Sequence, residues 1–235
     1  MKKADTMRKR WLWTGILLGV ALLPSLVISA QAQVVRPQEL NVQYHRAETA
    51  WKSGASVLEV KARVDRVLEA LPNDVEALKL RAQALLKLDR DAEALVDAQR
   101  AVALSPKDGE AHLILCEAAR RNGDMALAEQ ELIAASELAL DDAALHIRLS
   151  WNAVLLGRLD TAESFARVAM ASDPDEAAAY YQLARVFVLK DQADAAATVL
   201  VNGLNASILD SGVISADTVL VRVVDHPDLR SLLQK

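Results

Sequence analysis

Residues Val75–Asp108 read VEALKLRAQALLKLDRDAEALVDAQRAVALSPKD, and copies of this 34-residue stretch account for most of the chain. Pro106 follows Pro72 by one such period, and Pro174 follows Pro106 by two. Ala94, Ala128, Ala162 and Ala196 recur at the same spacing, as do Ala101, Ala135 and Ala169, with Gly203 closing the second series. A fixed period of this size marks an array of stacked supersecondary units.

Laid out without a gap, the array gives five units: 41–74, 75–108, 109–142, 143–176 and 177–210. Each reads as two amphipathic helices joined by a tight turn. The turns fall at Gly54-Ala55, Asp89-Arg90, Gly123-Asp124, Gly157-Arg158 and Asp191-Gln192. Glycine suits such a place because it accepts the left-handed backbone that ends a helix. Units end at Leu71-Pro72, Ser105-Pro106, Leu140-Asp141, Asp173-Pro174 and Ile208-Leu209. A proline there stops one helix and can open the next. The third unit has Leu140 in place of proline, so its boundary helix is predicted to run on.

Small side chains occupy matching places in the two helices. Ala82, Cys116, Ser150 and Ala184 share one position of the first helix, and Ala94, Ala128, Ala162 and Ala196 face them from the second. Where two helices cross closely, a methyl group is about the largest that fits. The period, the mid-unit turn, the paired small residues and the terminal prolines together resemble the tetratricopeptide repeat family. The resemblance spans residues 41–210 and implies an all-α, right-handed superhelical solenoid of about five helix-turn-helix repeats. The first unit departs most, with Val60, Val67 and Glu48 where small residues are expected, and it reads as a capping unit. The family's large aromatic near each unit's start survives as Tyr44 and Tyr180, and is replaced by Leu78, His112 and His146. Beyond Asp210 the period fails. Residues 211–235 are predicted to form a C-terminal cap, with a helix from about Asp217 to Val224 and a short final turn after His226-Pro227.

Residues 1–32 are a separate object. Lys2, Lys3, Arg8, Lys9 and Arg10 precede an uncharged apolar run from Trp11 to Ile28, and Ala30-Gln31-Ala32 follows. This order reads as a secretory signal peptide; the alternative is an uncleaved membrane anchor, since the run nearly spans a bilayer. Residues 33–40 read as an extended lead-in. The remainder after residue 32 carries 22 basic and 31 acidic residues, a formal charge of −9. Such an acidic chain is a poor nucleic-acid binder. Cys116 is the only cysteine, so no intrachain disulfide forms.

No catalytic constellation stands out: there is no phosphate loop, no Gly-x-Ser-x-Gly elbow and no His-Glu-x-x-His. His112 and His146 lie one period apart. They are read either as a metal pair or as replacements for the packing aromatic, and metal sites usually gather three or four ligands. Cys116 stands at the small-residue place, where a thiol packs as a compact apolar group. No cofactor, metal site or enzymatic activity is expected.

The surface that carries information is the groove. In proteins resembling this one the first helix of each unit lines the concave side. By register the second and third units present Glu76, Lys79, Gln83, Glu110, Glu117 and Arg121. The family's carboxylate clamp is not expected, because Gln83 stands where an asparagine belongs. The fourth and fifth units present an apolar stretch, Ile147, Trp151, Leu155, Tyr181, Arg185 and Leu189, read as the contact surface for a protein or peptide partner. The competing reading has the cap covering these residues as ordinary core. The resemblance and the leading segment point to a non-enzymatic scaffold in a bacterial cell envelope, periplasmic or secreted. Envelope proteins of this kind help assemble pili, secretion channels or exopolysaccharide exporters. A membrane-tethered subunit with an uncut N-terminus is the alternative.

Overall fold

The structure, a computed structural model, describes residues 35–233. The leading segment 1–32, including Ala30-Gln31-Ala32, lies outside the described residues, as do 33–34 and 234–235. The described residues form α-helices with one short 3-10 turn and no strand. Five helix pairs follow one another: α1 (Gln38–Lys52) and α2 (Val57–Ala70), α3 (Val75–Lys87) and α4 (Asp91–Leu104), α5 (Gly109–Arg121) and α6 (Met125–Leu138), α7 (Ala143–Leu155) and α8 (Leu159–Ser172), α9 (Ala177–Leu189) and α10 (Ala193–Asn205). After them come α11 (Ser211–Ala216), the 3-10 turn Leu220–Val223 and α12 (Pro227–Leu233). The architecture is an all-α helical-repeat solenoid.

The period is visible in the helix starts. Asp74, Asp108, Asp142, Glu176 and Asp210 follow one another at single periods, each just before a helix. Their carboxylates accept hydrogen bonds from the backbone N–H of Ala77, Ala111, Leu145, Ala178 and Gly212. Each satisfies an otherwise orphaned donor at a helix N-terminus. Mid-unit turns are equally regular. Asp89, Gly123, Gly157 and Asp191 all adopt positive φ, from 55° to 85°. The next residue then donates its N–H five residues back, as Arg90 does to Leu85 O and Arg158 to Ala153 O.

The first unit breaks the gapless register. Its left-handed residue, Gly54, precedes Asp89 by one position more than the period. An extra residue, Ser56, follows the turn, so α1 is offset by one position. The small residue of its crossing is therefore Ala47, which is fully buried, while Glu48 lies toward solvent. The lead-in is also shorter than expected. Helix α1 begins at Gln38 behind Pro37, whose fixed backbone suits a helix start. Arg36 stacks 3.8 Å from the Tyr44 ring and forks onto Asp74 at 2.5 and 2.6 Å.

Unit ends follow the prolines. Leu71, Ser105 and Asp173 leave the helical region, with φ between −128° and −139°, as a following proline favours. The third boundary does not run on, contrary to expectation. Leu140 takes a left-handed backbone (φ 42°) and Asp142 caps a new helix at Ala143. Without the proline, a left-handed residue ends α6 and the acidic cap starts α7. Ser207 (φ 60°) does the same at the fifth boundary.

Ala82, Cys116, Ser150 and Ala184 are all fully buried, as are Ala94, Ala128, Ala162 and Ala196. The α7–α8 crossing is close enough that Ser150 Oγ donates to Ala162 O at 2.8 Å. At Gly203 an added Cβ would lie 2.6 Å from Leu209 Cγ, because the chain folds back over α10 there. The cap differs from the prediction. Asp217 does cap a helical segment, accepting from Val219 and Leu220 N–H, but that segment is only the 3-10 turn. Helix α11 ahead of it was not foreseen. Ile214, Leu220, Val223 and Leu229 are buried against α9 and α10.

Candidate functional site

Successive first helices touch one another along the array, α3 with α5, α5 with α7 and α7 with α9, whereas second helices make no comparable contact. The first helices therefore form the inner wall. Two hollows lie along it. One, of about 660 Å³, runs from Tyr44 and Trp51 past Lys79, Gln83 and Lys87 to Arg121. The other, of about 510 Å³, lies beside Ile147, Trp151 and Gln182 and is walled by Asp217, Thr218 and Val219 of the cap. Glu117 and Arg148 line both, so the hollows join into one groove.

The first hollow is held by charge. Lys79 Nζ lies 2.8 Å from Asp108, 3.0 Å from Glu76 and 3.2 Å from Glu110. Burial alone would lower the Lys79 pKa, but the Asp108 hydrogen bond and the charges of Glu110 and Glu76 hold it above its ordinary value. Arg148 reaches Glu110 at 2.9 Å from the other side. Burial pushes the Glu110 carboxyl up, yet Lys79 and Arg148 outweigh it and keep the group below its ordinary value. Asp217 is likewise pushed up by burial and held down, by Arg185 and the backbone N–H groups of Leu220 and Val219.

These depressed carboxylates set a pH dependence. A folded-state pKa below the unfolded one adds stability that is complete above the unfolded value and disappears as pH falls through the folded value. The thermal midpoint is expected to drop as pH is lowered below about 4.5, the ordinary value for glutamate. Melts of Glu110→Gln followed by circular dichroism should fall less steeply over the same range. Parallel curves would remove Glu110 from this account.

The six residues expected to form the contact surface separate into two groups. Trp151 and Leu155 are 44% and 42% exposed on α7. Ile147, Trp151 and Arg185 line the second hollow. Leu189 is partly buried near the end of α9 and does not line that hollow. Tyr181 belongs to the core: it is 9% exposed, packs with Ile214 and Leu220, and its hydroxyl donates to Asp210 O and accepts from Asp210 N–H. Arg185 is bound to Asp217 by Nε at 2.7 Å and by a second guanidinium nitrogen. The cap thus covers Tyr181 and pins Arg185, and leaves Trp151 and Leu155 open.

Several lining residues were not foreseen. Tyr44 and Trp51 escaped because the first unit is out of register, and Asp217, Thr218 and Val219 because the cap has no period to place them. Their one sequence signal is the Ser-Ala-Asp start, which marks Asp217 as a helix cap.

His112 is buried with Nδ1 2.6 Å from Glu131 Oε2 and Nε2 3.2 Å from Pro106 O. His146 Nδ1 lies 2.9 Å from Asp142 O, with its ring beside Phe165. Among the described residues no cluster of three or more His, Cys, Asp or Glu is arranged to hold a metal. Cys116 is buried, and burial pushes its thiol up to about 12, which leaves it protonated and unreactive at neutral pH. Among the described residues no helix is long and apolar enough to cross a membrane.

No protein-family profile matches the chain. No curated protein matches it in sequence. Solved structures do. TTC0263, a tetratricopeptide repeat protein of Thermus thermophilus, is similar over 83% of this chain and 100% of its own, at 23% identity and a TM-score of 0.63. PilW, a type IV pilus biogenesis factor, is similar over 84% and 91%, at 15% identity and a TM-score of 0.65. MamA from Desulfovibrio magneticus RS-1 is similar over 74% and 97%, at 19% identity and a TM-score of 0.55. At such identities the likeness is one of fold: the chain has the fold of tetratricopeptide repeat proteins.

Proposed function

We propose that this chain is a non-enzymatic interaction scaffold of the bacterial cell envelope, which holds a segment of a partner protein along the first-helix groove. The observation that carries the reading is Trp151, a large apolar side chain left in solvent on the inner wall where it lines a hollow, with Leu155 exposed one turn along the same helix. Exposed apolar surface in a concavity, with a tryptophan near its centre, is what a binding hot spot requires. The fold shared with PilW and the export-like residues 1–32 support an assembly role at the envelope, for a pilus, a secretion system or an exopolysaccharide exporter. The product acts in the periplasm or beyond it. If residues 1–32 stay attached, the same groove works from the periplasmic face of the inner membrane, and the intact mass of the native protein separates the two cases.

The test is a photocrosslinking amino acid placed at position 151 in the native host. One dominant crosslinked protein, named by mass spectrometry, is the expected result. Crosslinks confined to residues 211–233 of the same chain would show the hollow to be closed by the cap, and the reading would fall.

A further inference from the structure

Asn152 and Gln182 line the second hollow, and both are all but buried, at 4% and 2% exposure. The repeat does not require amides there. Asn152 shares its register position with Ala84, Ala118 and Val186, all buried. Gln182 shares its own with the buried Leu80 and Ile114, and with Arg148, which lines the same hollow. Their neighbours fix which end of each amide is free. Asn152 Nδ2 donates to Arg148 O at 3.0 Å, an oxygen that would repel Oδ1. Ser150 Oγ gives its one hydrogen to Ala162 O, so toward Gln182 it can only accept, and Nε2 donates to it at 3.1 Å. Asn152 Oδ1 and Gln182 Oε1 are left with no donor among the described residues. Two amide oxygens largely withdrawn from water, with no hydrogen bond in return, destabilise the unbound chain.

The charges of this hollow balance, with Glu117 and Asp217 matched by Arg148 and Arg185. Arg148 is held by Glu110 and Arg185 by Asp217. Charge therefore selects neither a basic nor an acidic occupant, and the unmet demand is for a neutral hydrogen-bond donor. On these grounds, and resting on the groove reading above, we infer that the second hollow takes an uncharged carboxamide side chain, Asn or Gln, from the partner segment. Its NH2 group donates to the amide oxygens of Gln182 and Asn152. Its carbonyl accepts from Thr218 Oγ, an exposed hydroxyl on the cap wall that makes no hydrogen bond among the described residues. An apolar residue beside it in the segment lies on Trp151 and Ile147. The end of a side chain suits so enclosed a pair of acceptors better than a main chain does. A carboxamide brings both donor and acceptor without the cost of burying a charge.

Asn152→Ala and Gln182→Leu put back the residues that other units carry at these positions, so the fold should accept both. Their thermal midpoints, followed by far-ultraviolet circular dichroism, are expected to equal or exceed that of the parent chain. The binding probe is a phage-displayed library of random dodecapeptides, selected on the full chain immobilised through a C-terminal tag. Selected peptides are labelled with fluorescein and titrated by anisotropy. The expected outcome is enrichment of Asn or Gln beside a large apolar residue. Affinity should fall about tenfold in either variant, and about as much when the peptide's Asn or Gln is changed to Ala. A marked drop in the midpoints of both variants would assign the amides to the fold and overturn the inference. Peptides that lose binding in Trp151→Ala but bind Asn152→Ala and Gln182→Leu unchanged, or that carry Lys or Arg in place of the amide, would also overturn it, and would leave the groove reading standing. Failure to enrich any peptide, or peptides indifferent to Trp151→Ala, would overturn both.

Discussion

Ala162→Leu should cost about 2–3 kcal/mol of folding stability, whereas Val168→Leu on the same helix should stay within about 0.5 kcal/mol. Ala162 is fully buried at the α7–α8 crossing, where its carbonyl accepts from Ser150 Oγ at 2.8 Å. Backbone atoms approached by a side chain that short leave no room for three further carbons. Leucine there must either leave its rotamer or push α8 off α7, and the second choice also breaks the Ser150 bond. Ser150 in turn accepts from Gln182 Nε2 at 3.1 Å, so the disturbance reaches α9. Val168 lies partly in solvent on α8, and a longer side chain at that position meets water. Urea unfolding followed by circular dichroism gives the comparison, with the midpoint lowered in the first variant and unmoved in the second. Equal midpoints would mean that the periodic alanines do not mark close crossings, and the packing account of the repeat would be wrong.

That alanine was legible because a crossing that recurs once per period imposes the same steric demand each time. The turns at Gly123 and Gly157 were legible for the same reason: they need a left-handed backbone, and a short list of residues supplies it cheaply. Where the period holds, sequence and fold correspond. Where a second solution to the same demand exists, they part. The third boundary lacks its proline, which in sequence suggests a continuous helix, but Leu140 in a left-handed conformation and the Asp142 cap end it without proline. The acidic caps Asp74, Asp108, Asp142, Glu176 and Asp210 carry that information at the correct spacing, and they mark the boundaries more faithfully than the prolines do. In the first unit one inserted residue shifts every position of α1, which hides Ala47 as the crossing residue and Trp51 as a groove residue. The candidate site divides along the same line. Trp151 and Leu155 are left in solvent on α7, while Tyr181 and Arg185 are claimed by a cap that has no register. A tyrosine hydroxyl exchanging two hydrogen bonds with Asp210 cannot be read from spacing, because its partner lies at the point where the repeat stops.

The cap should therefore control the C-terminal end of the groove, and Leu220→Ala is the sharpest way to see it. Leu220 is fully buried in the 3-10 turn, in one cluster with Ala184, Phe187, Leu200, Ile214 and Leu229. Truncating a leucine in such a place costs about 2–5 kcal/mol. In a solenoid each unit contacts only its neighbours, so this loss is not shared evenly along the chain. Native-state amide exchange should show protection in α9 to α12 reduced about 100-fold, while α1 to α4 change little. Because Asp217 and Val219 flank Leu220 and wall the second hollow, a partner held against Trp151 should also bind more weakly, although no residue that touches it has been altered. The two readouts are linked by the Arg185–Asp217 pair, which ties the turn to α9. Asp217→Asn, which keeps the leucine but weakens that tie, should reproduce the binding loss with less of the exchange effect. If Leu220→Ala instead lowered protection evenly from α1 to α12, the repeats would be unfolding as one cooperative body, and the cap would be a remote stabiliser rather than a wall of the site.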